Sequence, residues 1–499
     1  MPISKSSAIF QLIKSLSTAE KRNFKLYASR NHKQGQLKFI ELFEIIDKGE
    51  VYDEEQIMTQ LGGVSKSKIA NLKRHLYTQI LDSLRVITVA KRPNIEVRGM
   101  IDYAYILYDK GFYIEAIKIL EKAKKHAETY HLYNLHLSII EFEKKIESRH
   151  ITRSGKDKGY ALITESEKIN KKVSDAVHLS NLRIDLHAKY LQNGHCRSEI
   201  EKSNLEQFFS DAVKDIDENE LGAIEKIYLY QSYVWYNHIL LNFDSCLVYA
   251  IRWLELLESE PQLITQDVDL YLRAYHYILS SCFHLRKKED LENYLQKIES
   301  FRKANYKRFN TLSQIISFQY VHSARLNKII INGDFTDSQK VISRTLKRIK
   351  RYQTNLDAHR IMVFYFKIAW IYFCDRKYSK SILYLNKIVN NELPKLREDL
   401  QIYSRVMFLM CHYELDNFDV FRYSIRSFKP YFKKLENVYP LQVITQKTFL
   451  KLADTPRSDH SKIMETALKQ LKELQKNGFY KVSFTYLDII SWLESKLSK

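Results

Sequence analysis

Residues 103–123 read YAYILYDKGFYIEAIKILEKA, and their order decides the fold. Gly111 interrupts a tyrosine-rich apolar run, after which Tyr113, Ala116, Leu120 and Ala123 follow three or four residues apart. Glycine adopts backbone angles that other residues resist, so Gly111 is placed to end one helix. Ala116 and Ala123 share one face of the next, where small side chains let two helices close tightly. The stretch predicts a helical hairpin.

The same frame fits Phe243, Cys246, Ala250 and Trp253, then Phe335, Ser338, Ile342 and Thr345. It returns at Tyr378, Ser381, Leu385 and Ile388, and at Phe418, Phe421, Ile425 and Phe428. Weaker copies surround Lys288, with Leu291, Leu295 and Ile298, and lie near Lys156 and Ile200. A period of about 40 to 47 residues is the mark of stacked supersecondary units, each burying its neighbour's apolar face.

The segment from Tyr103 to Ala123 resembles a tetratricopeptide repeat, a helical-hairpin scaffold. The resemblance implies a binding role, with peptide or protein partners held on a concave face. The period is longer than the family's about 34 residues, and the small position is serine at Ser338 and Ser381 and aromatic at Phe421. The expected fold class is all-α: a superhelical array of stacked helical hairpins with a small N-terminal helical module. The expected boundaries are 1–98 for the module, 99–455 for the array and 456–499 for capping helices.

Within the first 98 residues, Ser17 and Glu20 form a capping box for the helix bearing Phe24 and Leu26. A second helix is expected from about Leu37 to Asp47. Asp53 caps a short helix with Ile57 and Leu61 that ends at Gly62 and Gly63, and Ser65 opens a longer one carrying Ile69, Leu72, Leu76, Ile80 and Leu84. Ile87 and Val89 either form a short strand or finish this helix. The arrangement resembles a helix-turn-helix or winged-helix module, which implies that Lys66, Lys68, Asn71, Lys73 and Arg74 face nucleic acid, cations to phosphate and Asn71 to adenine. The alternatives are a protein-docking module and a structural cap on the array.

A net charge of +20 on 499 residues attracts nucleic acid, acidic protein or an anionic membrane surface before any specific contact forms. The cations concentrate: Lys340, Arg344, Lys347 and Arg351 share one side of a helix whose other side carries Ile342, Leu346 and Ile349. These four are the expected site for nucleic acid or an acidic partner, with further cations at Arg376, Lys377 and Lys380 and at Arg422, Arg426, Lys429, Lys433 and Lys434. Asn237, Asn242, Asn327 and Asn332 form an alternative peptide-binding set, because an asparagine amide pairs with both the N–H and the C=O of an extended peptide. An N-terminal helix-turn-helix before tetratricopeptide-like repeats is similar to bacterial peptide-sensing regulators. Gly62 through Arg74 and Gly111 through Ala123 carry that similarity.

Five dispersed cysteines argue against a disulfide-stapled fold. No signal-like N-terminus or membrane-length apolar run is present, so cytoplasmic location without integral membrane association is expected. No phosphate-binding glycine loop and no zinc-protease histidine pair occurs. His195 beside Cys196 lacks the second pair of soft ligands a metal site needs. Glu141 with Glu143, and Asp215 with Asp217, are carboxylate neighbours that no cleft yet joins. The sequence therefore predicts no cofactor, no metal and no catalysis. It predicts an adaptor or scaffold for a protein or ribonucleoprotein partner, the alternatives being a nucleic-acid-binding or peptide-responsive transcriptional regulator and an enzyme of uncharacterised chemistry.

Overall fold

The structure is a computed structural model that describes residues 5–31, 38–89, 92–150, 157–196, 198–353, 355–390, 398–434, 440–476 and 487–498. Among these residues every regular element is helical, and there is no strand. The chain divides into two compact units, 1–171 and 172–499.

The first unit holds α1 (Lys5–Ser15), α2 (Thr18–Asn31), α3 (Lys38–Lys48), α4 (Glu54–Gln60), α5 (Lys66–Val89), α6 (Pro93–Asp109), α7 (Tyr113–Thr129), α8 (Tyr133–Arg149) and the beginning of α9 (Lys158–Asn193). The Glu20 carboxylate accepts the Ser17 amide at 2.7 Å, and the Ser17 hydroxyl accepts the Glu20 amide at 3.3 Å, so the capping box starts α2. Asp53 accepts the amides of Glu55 and Gln56 and starts α4. Ile87 and Val89 continue α5 as helix. Phe24, Leu42, Phe43, Ile69, Leu76 and Ile80 meet in one core, while Ala104, Ala116, Leu120, Ala123, Ile139 and Phe142 form a second.

The second unit contains the rest of α9 and α10 (Glu199–Val213), α11 (Ala223–Ile239), α12 (Phe243–Ser259), α13 (Pro261–Gln266), α14 (Val268–His284), α15 (Lys288–Asn305), α16 (Thr311–Asn332), α17 (Ser338–Arg351), α18 (Ala358–Cys374), α19 (Tyr378–Val389), α20 (Glu398–Glu414), α21 (Phe418–Lys434), α22 (Pro440–Asp454), α23 (His460–Lys476) and α24 (Ile489–Leu497). Consecutive helices pack on each other, and α14, α16, α18, α20 and α22 also pack each on the next. A single core runs from Ala223 to Leu493. This is the packing of a helical-repeat array.

The repeat lives in the backbone of its turns. Gly111, His131, Leu241, Arg286, Arg376 and Asp416 all take left-handed conformations with φ between 52° and 85°. Each precedes the following helix by two residues. In each turn the next amide reaches back to a carbonyl five residues earlier: Phe112 to Leu107 at 2.9 Å, Asn242 to Asn237 at 2.8 Å, Lys377 to Tyr372 at 2.8 Å. That is a Schellman cap, which satisfies carbonyls the helix end leaves open. Only Gly111 of the six is glycine. Gly333 supplies the left-handed residue after α16, but α17 begins at Ser338, one turn later than Phe335 predicts.

Three residues into the second helix of each hairpin stands the small position. The Cys246 thiol donates to the carbonyl of Val234 at 3.3 Å, and the Ser381 hydroxyl to that of Ala369 at 2.9 Å. The hairpins built on Ala116, Cys246 and Ser381 are the most closely packed helix pairs, and those with Leu291 or Phe421 in that place stand further apart. The α16–α17 pair departs from this pattern, because α17 begins only at Ser338 and packs loosely on α16 although Ser338 is small and buried. The weaker copy near Lys156 lies outside the described residues, and Ile200 is exposed in α10.

Candidate binding surfaces

The α17 sequence SQKVISRTLKRIKR contains six cations and no carboxylate. Ile342, Thr345 and Ile349 are buried, while Lys340, Arg344, Lys347 and Arg351 are exposed at spacings of four, three and four. Among the described residues none of these four pairs with a carboxylate. The last turn also places cations where the helix carries partial negative charge. Arg348 turns aside to Tyr352, its guanidinium donating to the hydroxyl at 3.5 Å. Beneath the basic face, burial first and then Arg325, Arg302, Arg348 and Arg344 push the His322 imidazole down to about 3. The face is an uncompensated cationic strip on a packed apolar base.

Its continuation into the next repeats is weaker. Lys377 meets Asp375 at 2.7 Å, Arg422 donates to the Ala453 carbonyl at 3.0 Å, and Arg426 meets Asp454 at 2.9 Å. The side chains of Lys433 and Lys434 lie outside the described ones.

In the first unit, Gly62 and Gly63 turn the chain between α4 and α5 with φ of 80° and 74°. Lys66, Lys68, Asn71 and Arg74 are exposed on α5. Lys73 is used inside the module: its Nζ lies 2.7 Å from Glu54 Oε2 and 3.2 Å from the Tyr52 hydroxyl. Burial pulls its ammonium down, yet the hydrogen bonds it donates to Glu54 and Tyr52 outweigh that and leave it raised, while Lys73 holds Glu54 below the usual carboxylate range. Lys73 is a strut between α4 and α5, and four of the five expected contacts stay open to solvent.

The four asparagines do not form a row. Asn237 is buried and donates to the Tyr233 carbonyl at 2.8 Å, and Asn242 caps α12 by accepting the Ser245 amide at 3.3 Å. Asn332 is exposed at the end of α16. Asn327 is buried, and its Oδ1 has no hydrogen-bond partner.

The carboxylates and thiols are structural in their contacts. Glu141 meets Lys144 at 2.9 Å, and Glu143 pairs with Lys124, which also meets Glu165 at 2.9 Å. His195 and Cys196 are both buried, and burial pushes the Cys196 thiol up to about 11. No group of His, Cys, Asp and Glu is placed to hold a metal among the described residues.

Sequence spacing missed a band of rings and cations in the second unit. The His187 ring lies 4.8 Å from Trp235, and Trp235 lies 5.9 Å from Tyr277. His276 stacks on Tyr320 at 4.2 Å, and Arg360 stands 6.0 Å from the same ring. Arg183 stands 5.5 Å from Tyr228, and Lys367 donates to Ser323. The band crosses α9, α11, α14, α16 and α18. Its only sequence signal is repeated helical spacing within single helices, as in Arg183 with His187 and Arg273 with Tyr277 and His284.

Comparison with protein-family models, with curated proteins and with solved structures finds no match to this chain.

Proposed function

We propose that this protein is a noncatalytic, tetratricopeptide-like adaptor of the cytoplasm that docks an acidic face of a protein or ribonucleoprotein partner on α17. The observation that carries the reading is the exposed row Lys340, Arg344, Lys347 and Arg351 on a helix with no carboxylate of its own. Such a row raises encounter rates with polyanions and loses affinity steeply with salt. The array supplies rigid placement, since α17 is fixed by Ile342, Thr345 and Ile349 to the continuous core.

Replacing the four cations together with glutamine leaves the buried side of α17 intact. The variant should keep wild-type helicity and lose partner capture from native lysate, together with salt-dependent direct binding of the recovered partner. Unchanged capture discards the site.

A second reading is nucleic-acid binding by the N-terminal module, favoured by Asn71 standing exposed between Lys68 and Arg74. Asn71→Ala should then relax base preference with a cost of about 1–3 kcal/mol, measured by competition between duplexes. A uniform loss for all sequences assigns α5 to phosphate alone.

A further inference from the structure

α9 is 36 residues long, well beyond an ordinary globular helix, and such length accompanies coiled coils and helical repeats. Within the second unit it is apolar on two opposite sides. Leu179, Leu182 and Leu186 are buried in the unit's interior. On the other side Val177, Ile184 and Leu191 recur at seven-residue intervals and are 50%, 54% and 68% exposed. A helix that is apolar all round belongs between two layers, and among the described residues only one is in place. Ser174, Val177, Asn181, Ile184, Ala188 and Leu191 follow one another on the outer side at alternating steps of three and four. That is the heptad seam by which one helix packs along another, with small or polar residues at a and aliphatic ones at d. Ser174 and Asn181 are exposed and Ala188 is half-buried.

The neighbours of α9 leave this seam open. His178 Nε2 lies 2.8 Å from the Ala212 carbonyl, and Lys189 Nζ lies 4.3 Å from the centre of the Phe208 ring, both of α10. On the opposite flank His187 meets Trp235 and Arg183 meets Tyr228, both of α11. α10 and α11 therefore take the two flanks, and the seam points outward between them.

We propose that this outer seam of α9 pairs two copies of the chain, each presenting the same stripe to the other. No charged residue interrupts the seam, in a chain that carries a net charge of +20. An acidic partner, which that charge attracts, finds no cation there. Two basic copies repel each other wherever they present charge, and the uncharged seam is where they can meet. Its border carries both signs, Asp185 and Lys189 standing 3.6 Å apart, which matches a second copy better than a polyanion. Asn181 is the one amide in the seam, and an a-position asparagine is satisfied by the same residue of an identical helix, which fixes the register. Three aliphatic side chains exposed to this degree make a patch of roughly 300 Å². Two such patches fall short of the roughly 1,200–2,000 Å² of a standard stable interface, so the pairing is reversible and set by concentration.

The seam and the α17 face lie on different helices, and the two fail separately. The test is sedimentation velocity of the full chain from about 1 to 100 μM, at salt from about 0.05 to 0.5 M. Wild type should pass reversibly from monomer to dimer, and at lower concentration in high salt, because screening removes the repulsion between two basic chains. That sign is opposite to polyanion binding at α17, which salt weakens. Ile184→Lys with Leu191→Lys, both at exposed positions, should weaken dimerisation about tenfold or more by setting unpaired charge in the seam. Asn181→Leu should strengthen it several-fold, a gain that damage to the fold does not produce. The α17 glutamine variant should dimerise at least as readily as wild type. Helicity is recorded for each. A wild type that stays monomeric to the highest concentration in high salt overturns the proposal, as does a dimer that Ile184→Lys with Leu191→Lys forms with wild-type affinity. A foreign helical protein captured by monomeric wild type and lost in that variant assigns the seam to the foreign helix and equally overturns the pairing of copies.

Discussion

His276, His284 and His322 show how single residues couple this fold to its medium. Burial is the largest cause in each case. Lys367, His195 and Arg286 add to it at His284, which falls to about 3, and the arginines around His322 take it to a similar value. A histidine whose folded pKa lies below its unfolded value stabilises the fold fully above about 6.5. That contribution fades as pH falls, by about 1.4 kcal/mol per pH unit for each such residue. Urea midpoints should therefore drop between about pH 6.5 and 5, above the range of ordinary carboxylates. A flat profile there contradicts the buried neutral state. His322→Gln, which can still meet the Thr345 hydroxyl now 2.9 Å from Nδ1, should flatten part of the drop.

Ser381 belongs to the same scale. It is fully buried and donates to the Ala369 carbonyl, so Ser381→Leu should cost about 1–3 kcal/mol or more by overpacking, read from denaturant midpoints. The sequence marks Ser381 and Cys246 as small positions, but not that each hydrogen-bonds the facing helix. Lys73 shows the opposite limit. Its partner Glu54 is 19 residues away in another helix, so a residue that spacing assigns to solvent is spent within the module.

At the scale of the element, the turns explain both what was legible and what was not. Gly111 announces its hairpin because glycine is the ordinary residue for a left-handed cap. Arg286, Arg376 and Asp416 occupy the same conformation with a β-carbon, so the sequence hides them, and the copies are found only from the apolar residues that follow. Left-handed geometry costs a non-glycine residue about 1–2 kcal/mol. Arg286→Gly and Arg376→Gly, both at exposed turns, should each stabilise the protein by about 0.5–1 kcal/mol after glycine's extra unfolded-state entropy. An unchanged or lower denaturant midpoint argues that the arginine side chains contribute more than the backbone conformation costs. The winged-helix expectation meets a plain limit in α5. Its apolar spacing persists through Leu84 to Val89, and the helix runs with it.

At the scale of the whole molecule, the all-α class was readable because periodic burial repeats from Ala104 to Leu493. The binding surfaces were readable only where one helix holds all of a surface. Lys340, Arg344, Lys347 and Arg351 share α17 and are exposed as their spacing predicts. The ring band draws Arg183, Trp235, Tyr277, Tyr320 and Arg360 from five helices, and no periodicity within one segment brings them together. Net charge likewise conceals placement: Lys377, Arg422 and Arg426 are partnered while the α17 row is open.

The most direct test of the adaptor account is binding by the α17 variant, Lys340→Gln with Arg344→Gln, Lys347→Gln and Arg351→Gln. Wild-type and variant chains of equal helicity are compared for partner capture from nuclease-treated and untreated lysate, and then for direct binding of the recovered partner across a salt series. The account predicts stoichiometric, salt-sensitive binding by the wild type and its loss in the variant. A variant that binds the same partner with wild-type affinity and salt dependence contradicts it.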